Sequence, residues 1–542
     1  MNAGGQRRLL WVHIIMLAVL CTLAVRIFLI GQGKEYAKAA EMQSSYTLPV
    51  GEWRGMIYDC NLKPLVNREH RTVLAVDPTP EAAAALREEL GAERFKSIWP
   101  LLESGRPALI PAEFPLSAAG ITPLDTVSRY SEKQTAAHII GYVDGEGKGV
   151  CGIEAGYDEA LTRWGGSLAV RYTVNAWKMP VGGEAEILDN CGNTDAGVVL
   201  TLDRELQAIA ERAAEALGRG AVVLMEAKTG AIRAMASVPD YSPTDVAAVL
   251  QREDSPLFNR AAAAWNVGSL FKICVAAAAL ENNISPPEDY FCGGYYELGD
   301  HRFYCHEHDG HGLLDLSGAF TVSCNPYFIA LGQQVGGRAL LAMAQRFGFG
   351  SKAVLAEGVT SAAGSLPAFA EMTAGELANF SFGQGKLTAT PVQLAGMLSA
   401  VANGGFAVQP TLFAGISSDG RALQPASEKG LPMRVLSADT AETLRRLLVQ
   451  VVEEGTGARA RNIYCGSGGK TASAQTGSYA DGQEIVHAWF GGFFPAEQPK
   501  YALVVFQEGG EAGGRTAAAV FRAISEAVYL HEHPDLRREI GE

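Results

Sequence analysis

The chain has 542 residues, 48% of them hydrophobic, which is enough for two or more folded units with their own cores. Its formal charge of -14 and its lack of any clustered run of Lys and Arg argue against nucleic acid as a partner, because a phosphate-binding surface needs concentrated positive charge. No repeats or low-complexity tracts occur, and nothing reads as disordered.

From Leu9 to Ile30 the chain is almost wholly apolar, broken by His13, Thr22 and Arg26. As a helix at 1.5 Å per residue this stretch is about 33 Å long, enough to span a bilayer with Arg26 snorkelling at one edge. Arg7 and Arg8 on the short side place residues 1–8 in the cytoplasm and everything after Ile30 outside, so one single-pass anchor at the cell membrane is expected. A cleaved signal peptide is the rival, but no clear small-x-small site follows the apolar run. Nine cysteines, at 21, 60, 151, 191, 274, 292, 305, 324 and 465, are too scattered for a small disulfide scaffold. Cys21 lacks the preceding small residue of a lipidated cysteine and reads as a membrane-helix residue.

Beyond the anchor, Thr72 to Val76 alternates like a half-buried strand, and Pro80 to Phe95 carries Glu and Ala at helical density. Gly165-Gly166, Gly182-Gly183 and Gly192 to Gly197 are turn-rich and mark a boundary. Val198 to Leu202 then leads to Asp203, which starts a helix reaching about Leu217. Gly220 to Glu226 and Ala231 to Val238 flank Lys228-Thr229-Gly230 as a hairpin.

Next comes Val267-Gly268-Ser269-Leu270-Phe271-Lys272-Ile273 and an apolar run from Cys274 to Leu280. A helix beginning at Ser269 puts Lys272 one turn later on the same face, so the amine can reach the serine hydroxyl. Serine is a weak nucleophile until a base takes its proton, and a lysine that is buried or beside another cation can be that base. Downstream stand Ser323-Cys324-Asn325, which also reads as an N-cap before Pro326-Tyr327-Phe328, and Lys470-Thr471-Ala472-Ser473 in a strand-like setting. The chain reads mostly helical from Ser269 to about Gly455. Lys470 to Thr476, His487 to Phe494 and Tyr501 to Gln507 follow as strands, then a helix from Thr516 to Leu530.

Ser-x-x-Lys, Ser-x-Asn and Lys-Thr in that order resemble the motif set of penicillin-binding proteins and serine β-lactamases. The chain as a whole resembles a class B penicillin-binding protein, a membrane-anchored D,D-transpeptidase of division, elongation or sporulation type. Arg54-Gly55-Met56-Ile57-Tyr58-Asp59, Arg129-Tyr130, Ala137 to Tyr142, Gly152-Ile153-Glu154 and Tyr157-Asp158 are similar to markers of that family's pedestal, where Arg54 and Glu154 are candidates for buried pairing. Phe382-Gly383-Gln384-Gly385 with Thr390 to Leu394 is similar to a segment bordering its cleft.

The resemblance implies an α+β fold: the penicillin-recognising serine transpeptidase fold, a five-stranded antiparallel sheet with an inserted helical lobe. A β-rich pedestal and one N-terminal transmembrane helix precede it. The expected divisions are a tail at 1–8, the anchor at 9–30, the pedestal at 31–195 and the transpeptidase domain at 196–535.

In that scheme Ser269 is the nucleophile, Lys272 its base, Ser323 a proton relay and Asn325 a support for Lys272 and the substrate amide. Lys470 and Thr471 bind the terminal carboxylate of a D-Ala-D-Ala stem peptide or a β-lactam, and the backbone N–H groups of Ser269 and Ser473 form the oxyanion hole. The charge of Lys470 and burial are both expected to lower the Lys272 pKa. Ala472 departs from the family's glycine, and its methyl group is expected either to narrow the cleft or to shift the strand. The implied partner is a polytopic glycan-polymerising glycosyltransferase, and no cofactor is expected. The alternatives are a D,D-carboxypeptidase or β-lactamase, and a β-lactam sensor or structural wall-complex member with a weakened site.

Cys292 and Cys305, close in sequence and flanked by glycines, are a candidate loop disulfide, as similar pairs occur in relatives. His301, Cys305, His306, Glu307, His308, Asp309 and His311 are dense enough to raise zinc, but their spacing fits no standard pattern. They read as a polar surface loop without metal.

Overall fold

The computed structural model describes residues 3–32, 38, 43–181, 185–426, 430–480, 482–510 and 514–539; the expected Gly182-Gly183 turn lies outside them. Two compact units emerge, one made of residues 1–53, 69–128 and 165–192, the other of 54–68, 129–164 and 193–542. The segments carrying the Arg54, Arg129 and Glu154 blocks therefore cluster with the second unit.

The first unit begins with one exposed apolar helix, Ala3–Gln32, whose 30 residues extend about 45 Å. Two three-stranded sheets follow. Gly166–Thr173 pairs antiparallel with Ser45–Trp53 and Glu186–Asp189, and Glu69–Val76 pairs antiparallel with Ala108–Ala112 and Ile121–Ser128. Helix Pro80–Glu103 runs past its expected end, turning at Gly91, whose φ of 76° breaks the helical path. Its start is capped by Thr79 Oγ1, which accepts from the Ala82 N–H, and Ala82, Leu86 and Leu102 bury against Leu74, Val76 and Ile110.

In the second unit, five strands form one antiparallel sheet in the order Ile232–Val238, Gly220–Glu226, Tyr501–Gln507, Gln483–Phe494, Gly468–Ala480. The period of two sends alternate side chains to opposite faces. Val222, Leu224, Leu503 and Val505 meet Leu206, Ala210, Phe521 and Ile524 from helices Arg204–Ala214 and Arg515–Glu532. Val223, Met225, Val504 and Phe506 turn the other way, into a core shared with Leu270, Phe271, Leu394 and Leu398. Full burial of each such side chain contributes about 1.5–3 kcal/mol before entropy is counted. Asp203 caps the first helix by accepting from the Glu205 and Leu206 N–H groups, as its sequence position implied.

Helix Pro391–Ala402 is buried at every position but Gly396, its polar Gln393 and Ser399 included, because it is enclosed by this core. It opens with a capping box in which Thr390 Oγ1 accepts from the Gln393 N–H and Gln393 Oε1 accepts from the Thr390 N–H. The chain between Phe271 and Gly455 is not purely helical, since short hairpins such as Tyr295–Leu298 with His301–Tyr304 lie within it. Most of their side chains are exposed, with only Tyr296, Leu298 and Phe303 half-buried, so no sheet face drives a longer ladder.

The blocks around Arg54 make one buried ionic knot. Arg54 Nε donates to Glu154 Oε2 at 3.1 Å, Arg129 Nε to Glu154 Oε1 at 2.7 Å, and the Tyr130 hydroxyl to Glu154 Oε1 at 3.1 Å. Asp158 Oδ1 accepts from Arg54 Nη2 at 2.8 Å. Glu154 is fully buried, so its charge is sustained by these donors rather than by water.

Candidate active site

Strand Trp265–Asn266 pairs antiparallel with Thr388–Ala389, and its Asn266 carbonyl accepts from Trp489 Nε1 at 2.9 Å. The chain then turns at Gly268, with a φ of 66°, into a single 3-10 turn, Gly268–Phe271, before the α-helix Lys272–Glu281. Ser269 thus rides on the tighter turn rather than on the α-helix itself, still close in front of Lys272. A side chain at Gly268 would place Cβ 2.6 Å from the Ser473 carbonyl oxygen, so glycine is what lets the turn abut the Gly468–Ala480 strand.

The Gly383 segment supports the same turn. The Gly268 N–H donates to the Gly383 carbonyl oxygen at 2.9 Å, and a Cβ on Gly383, whose φ is 87°, would sit 1.9 Å from the Gly268 oxygen. The Phe382 to Gly385 stretch, expected to border the cleft, thus acts as a backbone brace for the turn that carries Ser269.

Lys272 is fully buried, and its amine is surrounded by acceptors. Nζ donates to the Ser323 carbonyl oxygen at 2.7 Å, to Ser323 Oγ at 3.2 Å and to Asn325 Oδ1 at 2.7 Å, with the Phe328 ring centroid 5.4 Å away. These three bonds use all three donors of an ammonium. No Lys272–Ser269 hydrogen bond forms among the described residues. The N-cap reading of Ser323 and Asn325 is corrected: helix Asn325–Val335 starts at Asn325, Cys324 holds the cap position without a side-chain bond, and Asn325 faces Lys272. Ser323 adopts a φ of 56°, in the left-handed region, which turns both its oxygens toward one cation.

Burial pushes the Lys272 ammonium down to about 8, against an opposing pull from the Cys324 and Cys305 thiols. Lys470, also fully buried, is held well below its usual range, first by burial and then by the charge of Lys272. The repulsion expected to act on Lys272 is felt at Lys470. Two lysines in one dry site do not both hold a proton comfortably, so an incoming carboxylate has a strong electrostatic reason to bind there.

Lys470, Thr471 and Ala472 lie opposite Gly491, Phe490 and Trp489 on the neighbouring strand, and Thr471 Oγ1 donates to Thr456 Oγ1 at 3.2 Å. Ala472 is 3% exposed and belongs to the core cluster that includes Val267 and Trp489. Ser269 and Ser473 are both half-buried. Cys292 and Cys305 are not bridged; both are free thiols, and each sulfur faces His311 Nδ1 at 3.6 Å. Nor is the histidine-dense stretch wholly a surface loop, since Cys305 is buried.

Residues 220–526 match the family described as the penicillin binding protein transpeptidase domain. The chain is similar to Stage V sporulation protein D of Bacillus subtilis, 30% identical over 93% of this chain and 82% of that one. It is also similar to penicillin-binding protein PbpB of Mycobacterium tuberculosis, 28% identical over 85% of this chain and 70% of that one. Among solved structures, the D,D-transpeptidase domain of a peptidoglycan glycosyltransferase from Eggerthella lenta aligns with a TM-score of 0.65 at 25% identity, covering 89% of this chain and 99% of that one. Penicillin binding protein 3 of Mycobacterium tuberculosis complexed with aztreonam aligns with a TM-score of 0.65 at 24% identity, over 90% and 97% of the two chains, and supports the fold.

Proposed function

The chain belongs to the penicillin-binding protein transpeptidase family, and on that premise we propose that it is a peptidoglycan D,D-transpeptidase working through an acyl-enzyme on Ser269. The observation that carries this reading is the burial of Lys272 one short turn from Ser269, with its amine held by Ser323 and Asn325.

Ser269 Oγ attacks the carbonyl carbon of the penultimate D-alanine of a stem peptide, and its proton passes to neutral Lys272. Of the three acceptors around Nζ, only the Ser323 hydroxyl can also donate, so it is the group suited to hand that proton to the leaving D-alanine amine. The peptide C–N bond breaks, D-alanine leaves, and an ester to Ser269 remains. An acceptor amine from a second stem then attacks the ester, gives up its proton along the same route, and regenerates Ser269 with a cross-link formed.

Lys470 and Thr471 bind the terminal carboxylate, and the N–H groups of Ser269 and Ser473 receive the developing oxyanion, worth roughly 3–4 kcal/mol per donor in comparable acyl transfers. A β-lactam carries a matching carboxylate and a strained amide, so it acylates the same serine. We assign residues 31–195 the role of a pedestal and 196–535 that of the transpeptidase domain, with residues 54–68 and 129–164 of the former folding as part of the second compact unit. Helix Ala3–Gln32 is long and apolar enough for a single-pass anchor, and Arg7 and Arg8 favour a cytoplasmic N-terminus with catalysis outside. A polytopic glycan-polymerising glycosyltransferase is the partner this role requires, because cross-linking needs newly made glycan strands.

Intact mass after incubation with a penicillin, followed by peptide mapping, tests the proposal. One adduct on the Ser269 peptide, absent in Ser269→Ala, is the expected result; labelling that persists in the variant overturns it.

A further inference from the structure

Four donor side chains converge beside the Ser323–Asn325 loop without taking part in the chemistry above. Cys292 ends strand Tyr290–Cys292, which pairs antiparallel with Gly312–Leu314, so His311 directly precedes the returning strand. Cys305 follows strand His301–Tyr304, the partner of Tyr295–Leu298. Cys324 stands between Ser323 and Asn325. The Cys305 N–H donates to the Gly294 carbonyl at 2.8 Å and the His311 N–H to the Cys292 carbonyl at 3.1 Å, which ties the two hairpins together at the cluster. Gly310, with a φ of 83°, passes so close that a Cβ there would lie 2.2 Å from the Cys292 oxygen.

The sulfurs of Cys292 and Cys305 each lie 3.6 Å from His311 Nδ1, and the donor atoms of Cys292, Cys305, His311 and Cys324 all lie within 4.8 Å of one another. Zinc–sulfur and zinc–nitrogen bonds of about 2.3 and 2.0 Å in a tetrahedron set sulfur and nitrogen about 3.5 Å apart and two sulfurs about 3.8 Å apart. The two sulfur–histidine distances already match, and the widest donor pair exceeds that size by no more than about 1 Å. Its three thiols are no more than 2% exposed, so the surroundings exclude the water that would compete for a metal. Three thiolates and one imidazole are soft and borderline donors that select zinc among the abundant divalent ions.

We propose that Cys292, Cys305, His311 and Cys324 form a structural, four-coordinate zinc site. Two of its ligands, Cys292 and Cys324, fall outside the histidine-dense stretch, which is why no familiar spacing appears in the sequence. A metal on Cys324 pins the loop that carries Ser323, with its left-handed φ of 56°, and Asn325, the two residues that hold Lys272. The site thereby positions the Lys272 partners; this consequence rests on the function proposed above, whereas the metal content does not.

The test uses the full-length chain in detergent micelles, prepared without chelator, with zinc measured by mass spectrometry of the elements. One zinc per chain is expected, with Cys292, Cys305 and Cys324 protected from alkylation until a chelator strips the metal. Cys305→Ser and His311→Ala should each lose zinc at least about tenfold in affinity, while His306→Ala, at 3.8 Å from the Cys305 sulfur but outside the four, keeps it. Replacement of zinc by cobalt(II) in the unaltered chain should give the intense visible absorption of a tetrahedral thiolate site, a readout that does not depend on variants folding. A metal-free chain whose thiols become reactive only after reduction would establish a disulfide and overturn the proposal. Stoichiometric iron, or zinc lost with His306 but not His311, would overturn it too. A zinc-loaded chain that no penicillin acylates would defeat the catalytic reading alone.

Discussion

Lys272 Nζ and Asn325 Oδ1 lie 2.7 Å apart, one on the helix after Ser269 and the other on the first turn of helix Asn325–Val335. This bond, with the two to Ser323, fixes the position of an amine whose charged form burial disfavours.

Removing the Asn325 acceptor should therefore impair the base without touching the nucleophile. A hydrogen bond to a charged group is worth about 1.5–3 kcal/mol, so Asn325→Ala is expected to slow acylation by about 10- to 100-fold. Second-order labelling rates with a fluorescent penicillin measure it; an unchanged rate would detach Asn325 from the machinery.

With Lys272 lowered to about 8, its neutral, proton-accepting fraction grows as pH rises. Acylation should climb about tenfold per pH unit below 8 and level off above it. Lys470, Cys305 and Cys324 are the ionisable groups coupled to this lysine, and Lys470, lowered too, binds carboxylate best when protonated, so affinity should weaken at the alkaline end. A profile that falls between pH 6 and 8 would contradict Lys272 as the base.

Gly383→Ala should collapse the brace behind Ser269. The new Cβ meets the Gly268 oxygen at 1.9 Å on a backbone with a φ of 87°, so the turn must move. A shift of about 1 Å in a reacting group costs on the order of 100-fold, and acylation should drop by that much even where circular dichroism shows a folded chain. Wild-type labelling in the variant would refute the brace.

The ionic knot around Glu154 makes a stability prediction. Glu154→Gln leaves Arg54 and Arg129 buried without their shared anion, at a cost of about 3–5 kcal/mol. Urea denaturation reads this as a lower midpoint, and a loss below 1 kcal/mol would mean that water or Asp158 takes over.

Ala472→Gly should leave the chain open to acylation. The methyl group is packed in the core at 3% exposure, so its removal costs about 0.5–1 kcal/mol of strand stability without altering a polar group. Loss of labelling in that variant would show that the methyl sets the strand's position.

Much of this protein was determined by its sequence alone, because the signals are local. The apolar run of the anchor, the Lys228-Thr229-Gly230 hairpin, the Asp203 cap and the late strands each follow from periodicity or turn chemistry within a dozen residues. The three motifs were legible because their residue types and order are specific. Tertiary structure decided what depends on distance through space. For Asn325 the sequence leaves open both a cap and a support for Lys272, and only helix Asn325–Val335, which aims it at Lys272, decides between them. Gly383 acquires a purpose only against Gly268, and Cys292, Cys305, His311 and Cys324 become a cluster only after two hairpins and a helix start fold together. Close packing and burial have no period along the chain, so the meeting of those four donors, and the fact that Lys470 rather than Lys272 feels the other lysine's charge, arise only from the folded core.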